Sequence, residues 1–377
     1  MAGDVTEQPM PEDNFELALL AGLAAGASKL PTHADAATQT EALKETETPG
    51  VLQLFLSICD GQHGETQVEH ADEHTARTST VGSWKRKCGF EGYRTLTSSE
   101  KALQDLCGVT MTVFSILLNL LPEQRQRASD VSREDRLAIL LMKLKLGVSL
   151  TAIAALFGVT KSTACRVFHT TLDQLSAVTR EWIFVPPRET IKETLPPCFQ
   201  RHYPDCTFII DYTEVTTETP SGPEQHYLYS HYKGGYTLKW LVGIIPNGAV
   251  AFLSKPYGGR HSDSFITRDS GFLAHVLPGD VVLSDKGFPA IKTTFDDKGA
   301  VLVMPPFNTG GRQLSVEDME TTFVIAQVRV HVERTIQRLK LFNILNNRVS
   351  LTLIPHMGKM MHICACLVNF QAPIINS

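Results

Sequence analysis

Residues 279–304 constrain the fold most. Two short apolar runs, Val281–Ser284 and Ala300–Met304 ("AVLVM"), are separated by a helix-length segment, Ile291–Lys298. Strands joined through a helix pair side by side in parallel. Parallel strands are covered on both faces, so this part of the chain is α/β. The flanking sequence extends the sheet. Thr207–Val215 ("TFIIDYTEV") and Thr237–Ile245 ("TLKWLVGII") read as strands, and Pro246-Asn247-Gly248 turns the second into Ala249–Ser254 as an antiparallel hairpin. Ser262–His275 reads as a helix capped by Ser262 or Asp263. Ser315 caps a long closing helix that runs to Phe342. The order is β-β-β-α-β-α-β-α.

The chain of 377 residues divides by composition into three parts. Residues 1–80 carry three Lys/Arg against 14 Asp/Glu, are rich in Glu, Thr, Ala and Gln, and read as a disordered acidic segment. A short helix at Phe15–Leu30 and a linear partner motif at Ala37–Thr40 are candidate features within it. Cys59, His63, His70 and His74 lack convincing zinc spacing. Residues 81–180 read as a helical domain that starts near a basic patch, Trp84–Lys87. Residues 181–377 hold the sheet, after a proline-bearing connector with room for a strand at Trp182–Val185. The net charge of −5 therefore conceals a basic body, +6 over residues 81–377, which is compatible with nucleic acid. No membrane span or signal peptide is expected, and the eight cysteines, without framework spacing, fit reduced thiols in a nuclear or cytosolic protein.

Inside the helical domain, Ser132 caps "SREDRLAILLMKLKLG", which ends on Gly147. Then "SLTAIAALFGVTKSTACRVFHTTLDQL" (149–175) has helix-turn-helix spacing. Ser149 caps a short helix with Ile153, Leu156 and Phe157 inward, Gly158 turns, and Thr160 caps a second helix with Val167, Phe168 and Leu172 inward. That second helix presents Lys161, Ser162, Thr163 and Arg166, the DNA-binding candidates. Two helices packed across a glycine turn are also common in any helical domain.

The α/β order places carboxylates at three telling points: Asp211 on the first strand, Asp285 after the fourth and Glu333 inside the closing helix. An isolated Asp after a strand reads as a turn residue, and a lone Glu on a helix as a solvated charge. Together, on a ribonuclease-H-like mixed sheet, the three converge at the carboxyl end of the strands. There they suit two hard divalent cations, Mg²⁺ or Mn²⁺, which offset their mutual repulsion and activate a water against a phosphodiester. Asp263 is a fourth candidate ligand beside its capping role. Glu214, three residues after Asp211, points to the opposite face. Arg329, Arg334, Arg338 and Lys340 surround Glu333 and suit phosphates. His331 lies on a different face of the helix and is not expected to ligate. Tyr227, Tyr229, Tyr232 and Lys233 alternate as on an edge strand, either exposed or against a DNA backbone.

These stretches resemble a family. "FIIDYTEV", "YLYSHYKGGYTLKWLVGIIPNGAVAFLSKPYGGRHSD", "LPGDVVLSDKGF" and "RVHVERTIQRLKLFNIL" look like the DDE superfamily endonucleases of PIF/Harbinger-type transposases, and residues 130–175 look like the helix-turn-helix that precedes that nuclease. The resemblance implies a nuclear, metal-dependent DNA endonuclease or transposase with Asp211, Asp285 and Glu333 as catalytic, metal-binding triad. It also implies an accessory DNA-binding protein and a homo-oligomer as partners. Tyr212 stands where such proteins usually have a small residue. The alternative is a domesticated DNA-binding or protein-interaction module without catalysis.

Overall fold

The computed structural model of the chain describes residues 90–123, 131–285, 291–305 and 316–372. The expected helix at Phe15–Leu30, the motif at Ala37–Thr40, the Cys59/His63/His70/His74 group, and the basic patch Trp84–Lys87 lie outside them.

The helical region comprises α1 (Tyr93–Leu96), α2 (Glu100–Cys107), α3 (Met111–Leu120), α4 (Arg133–Leu146), α5 (Leu150–Phe157) and α6 (Lys161–Val178). Each of α2 to α6 starts on a Ser or Thr whose side-chain oxygen accepts a backbone N–H three residues on: Ser99, Thr110, Ser132, Ser149 and Thr160. These contacts satisfy donors that a helix start leaves unpaired. Left-handed glycines end α2, α4 and α5. Helix α4 is the hub. Every residue from Leu137 to Leu144 is buried, because α2 and α6 pack against it. Lys143 is buried with them and donates from Nζ to the Val148 carbonyl at 2.9 Å.

The connector forms a 3₁₀ turn at Arg180–Trp182, then α7 (Arg188–Glu193) and α8 (Pro197–His202). The strand expected at Trp182–Val185 does not form. The Trp182 N–H closes the turn onto the Thr179 carbonyl at 2.9 Å, and its ring meets Phe370 edge-on at 5.2 Å. The chain then runs into Pro186-Pro187.

The sheet contains β1 (Cys206–Thr216), β2 (Tyr229–Ser230), β3 (Gly235–Ile244), β4 (Val250–Leu253), β5 (Tyr257–Gly258), β6 (Val281–Leu283) and β7 (Val301–Val303). Its order is β2-β3-β1-β6-β7. β1 pairs antiparallel with β3 and parallel with β6, which pairs parallel with β7. The outer edge of β3 is shared by β2, β5 and β4 in succession. The parallel crossover and the β3–β4 hairpin are those the sequence predicts. β5 is two residues long and has no local signature, since only β3 makes it a strand.

The remaining helices are α9 (Glu224–Leu228), α10 (Asp263–Asp269), α11 (Lys292–Asp296), α12 (Val316–Lys340), α13 (Asn343–Asn346) and α14 (Met357–Asn369). The helix expected over Ser262–His275 is split. Gly271, at φ +80, ends α10 and starts a separate 3₁₀ turn. On one face of the sheet Phe208, Ile210, Leu241, Ile266, Phe272 and Phe295 form the core. Helix α14 packs on α6 and β4. Lys359 Nζ pairs with Asp173 Oδ1 at 2.7 Å, and Asn369 bonds both the N–H and the carbonyl of Val250. The stretch 351–369 is apolar and long enough to cross a membrane by composition, but 56% of it is buried inside the protein, as core helices are.

One buried carboxylate ties the connector to the sheet. Asp280, immediately before β6, is only 5% exposed. It receives Arg188 Nε at 2.8 Å and Nη2 at 2.5 Å, Thr207 Oγ1 at 2.7 Å and the Leu277 N–H at 2.8 Å. Such an acid is fully satisfied, and removing it strands a guanidinium. Asp280→Ala is expected to cost about 3 kcal/mol of stability, read as a lowered urea midpoint; an unchanged midpoint would refute this role.

Candidate active site

Asp211 lies at the centre of β1, paired opposite Val242 of β3. Strand alternation turns Tyr212 and Glu214 to one face and Asp211 to the other. Asp285 leaves the carboxyl end of β6, which runs beside β1 in the same direction, with Ile209 level with Leu283. Glu333 comes from α12. That helix buries Ile325, Val328, Val332, Thr335 and Leu339, a helical stripe, and so carries Arg329 and Glu333 along the stripe's flank.

Arg329 draws the group together. Its Nη1 stands 3.3 Å from Asp285 Oδ1 and its Nη2 3.8 Å from Glu333 Oε1, one helical turn on. The guanidinium side chain is 13% exposed, against 52% for Asp285 and 59% for Glu333. Its Nε is buried with no hydrogen-bond partner among the described residues. Asp211 feels all three groups. Burial raises its carboxyl to about 6. The Tyr212 N–H, 2.8 Å from Oδ1, and Arg329 pull it back down, while Asp285 and Glu333 push it up. The three expected carboxylates thus share one electrostatic neighbourhood, with a cation among them. Arg329, expected to suit phosphates, here pairs with two carboxylates, and its four-residue spacing from Glu333 is the sequence signal for that.

All three side chains offer the hard oxygen donors that suit Mg²⁺ or Mn²⁺. Among the described residues, no three of His, Cys, Asp and Glu stand close enough as they are to hold an ion. The donor chemistry fits a divalent cation, and Arg329 supplies the positive charge between Asp285 and Glu333 in this arrangement.

The other candidates are placed as follows. Asp263 begins α10 behind the capping Ser262. Its carboxylate is bound by Lys239 Nζ, which also faces Glu214 at 3.9 Å. Glu214 in turn accepts Thr237 Oγ1 at 2.7 Å. Tyr212 closes this second network by bonding the Asp263 carbonyl and Thr267 Oγ1. Asp263 and Glu214 therefore serve a lysine on the face away from Asp211. Arg334 is exposed, and Arg338 donates to the Ala372 carbonyl at 2.7 Å. His331 is buried against Phe199 and Cys198, and burial, then Arg334, lowers it to about 4.

In the helical region Gly158 takes the left-handed conformation (φ 65) between α5 and α6, and Ile153, Phe157, Val167, Phe168 and Leu172 are buried. Lys161, Ser162 and Arg166 are exposed along the first turns of α6. Thr163 is half-buried, its N–H and hydroxyl both bonded to Thr160 Oγ1.

Residues 210–369 match the family model of the DDE superfamily endonuclease, a span that contains Asp211, Asp285 and Glu333. Residues 129–181 match the helix-turn-helix of DDE superfamily endonuclease. The chain carries a DDE superfamily endonuclease domain with its helix-turn-helix. No curated protein and no solved structure matches it. The endonuclease match starts inside β1 and ends with α14, and the helix-turn-helix match covers α4 to α6.

The raised carboxyl of the endonuclease domain has a consequence for stability. A carboxyl with a folded pKa above its unfolded value favours folding at low pH. It opposes folding as the pH climbs from about 4 through about 6. Asp211→Asn removes that penalty. The variant should exceed the parent by about 3 kcal/mol at pH 7.5 and match it below pH 4. Urea titrations at the two pH values check this; a gap that is the same at both would show that Asp211 does not titrate as described.

Proposed function

We propose that the chain is a divalent-metal-dependent DNA endonuclease of the transposase kind, with Asp211, Asp285 and Glu333 as its catalytic carboxylates. The observation that carries this reading is that Arg329 pairs with Asp285 and Glu333 while Asp211, buried on β1, feels the charge of all three, inside the matched endonuclease region. The β1–β3 antiparallel and β1–β6–β7 parallel pairings support a ribonuclease-H-like arrangement. A divalent cation held by Asp211, Asp285 and Glu333 would supply Lewis-acid activation of the attacking water and stabilise the leaving oxygen.

The chain's own residues supply placement. In this reading Lys161, Ser162 and Arg166 of α6 enter a DNA groove and set where the duplex lies. Arg334, exposed beside Glu333, neutralises a phosphate near the cut. Arg338, anchored on the Ala372 carbonyl, holds the end of α12. Water attacks phosphorus, the bond from phosphorus to the 3′ oxygen breaks, and that oxygen leaves as a 3′-hydroxyl after taking a proton. The same hydroxyl is the nucleophile that strand transfer requires. A nuclear location is part of the same proposal.

The test is nicking of supercoiled DNA by the full chain with Mg²⁺ or Mn²⁺, beside Asp285→Ala and Glu333→Gln. Cleavage by the parent should fall at least 100-fold in both variants, and Mn²⁺ binding by calorimetry should weaken in each. Lys161→Ala with Arg166→Ala should weaken duplex binding without changing Mn²⁺ binding. A parent chain that binds duplex but neither binds metal nor cuts would favour the non-catalytic, domesticated reading.

A further inference from the structure

The hairpin from β2 to β3 is unlike the rest of the sheet edge. At its tip Tyr232 is 85% exposed, with Lys233 Nζ 4.8 Å above its ring. Tyr229, 37% exposed, stands edge-on to His231 at 5.3 Å and to Tyr236 at 5.7 Å. A lone exposed tyrosine is ordinary; an aromatic cluster interleaved with a cation, on a braced turn, is not. Ser230 Oγ accepts the Lys233 N–H at 3.2 Å, and Gly234 turns at φ +61. Beneath the tip the backbone of Gly259 approaches so closely that a Cβ there would meet Thr237 Oγ1 at 2.2 Å and Ser230 Cβ at 2.8 Å. The fold thus holds this turn firmly while leaving its aromatic surface in water.

Charge specifies what the surface suits. From Gln225 to Lys239 there is no acidic residue. Lys340, at the end of α12, has its Nζ on the backbone carbonyl of Glu214 at 3.1 Å. Burial lowers the Lys340 amine, Lys233 lowers it further, and Glu214 raises it. Arg348 is exposed and next to Val349, whose N–H bonds the Thr216 carbonyl at 2.8 Å. Nearby Glu218 is held by the Leu351 N–H at 3.2 Å. Lys233, Lys340 and Arg348 therefore gather at the carboxyl end of β1, where Thr216 pairs with Thr237. That is five residues beyond Asp211, about 17 Å along the strand, or about five base-pair steps.

We propose that the β2–β3 hairpin tip, with Lys340 and Arg348, is a duplex-DNA contact that grips the backbone on one flank of the carboxylate site. The proposal rests on the nuclease reading for its orientation. The lysines and arginine neutralise phosphates, and Tyr232 and Tyr229 lie against the sugars of the backbone. A protein partner would want an apolar surface with few like charges; this one is basic and aromatic.

The experiment is fluorescence anisotropy of a labelled 30-base-pair duplex with the full chain at several salt concentrations. EDTA is present, so that neither metal nor cleavage contributes. Lys233→Gln and Arg348→Gln should each weaken binding about three- to tenfold and lower the salt slope by about one. Lys233→Arg should restore the slope, and Tyr232→Ala should weaken binding several-fold with the slope kept. Thermal unfolding of each variant should match the parent, since these side chains are exposed. Parent-like binding by every tip variant, with Lys161→Ala and Arg166→Ala still weakened, would overturn the contact and leave the nuclease reading intact. A parent that shows no salt-dependent duplex binding would overturn both.

Discussion

The burial of Asp211 on the central strand sets the conditions that its neighbours meet. A carboxylate in the middle of β1 has lost most of its water, and desolvation alone pushes it toward the neutral acid. Asp285 and Glu333 make ionisation harder still. Among the described residues, the side chain that favours the charged form is Arg329, and it does so from a helix position fixed by the apolar stripe beneath it. The placement of α12 against β1, the exit of β6 and the arginine are thus parts of one charge balance. In the function proposed above, a divalent ion would satisfy the same balance with more charge in less space.

The opposite face of β1 shows what a closed network looks like. Glu214 sits directly across from Lys239, and Lys239 also holds Asp263 and stacks 4.8 Å over the Tyr212 ring. Thr237 and Thr267 complete the hydrogen bonding. Its donors and acceptors are paired, so the network behaves as structure and joins β1, β3 and α10. One strand therefore carries two charged sites with different character. The hydrogen-bonded one is buried under α10; the other opens, through Asp285 and Glu333, to solvent.

Local signals carried much of this into the sequence. Helix starts were legible because Ser132, Ser149, Thr160 and Ser262 act on N–H groups only three residues away. The crossover was legible because Val281–Leu283 and Val301–Val303 are too short and apolar to do anything but pair. What depended on distant partners was hidden. β5 exists only through Leu238 and Lys239. The connector strand was lost to a turn closed by Thr179. Asp280 and Asp285 flank the same strand and look alike in sequence, yet the first is spent on Arg188 and the second faces the cluster. Asp263 looked available for metal until Lys239, 24 residues earlier, was seen to claim it.

The packing of α14 on α6 has a geometric meaning. The helix that presents Lys161 and Arg166 is bolted to the last helix of the endonuclease domain by the Lys359–Asp173 pair, by His362 on Thr179 and by a buried apolar face. The separation between the first turn of α6 and the carboxylates is then a property of the body, not of the proline-rich connector between them. In the function proposed above, a protein built in this way is a ruler: it would cut at a fixed number of base pairs from where it reads, and lengthening the connector would not move the mark.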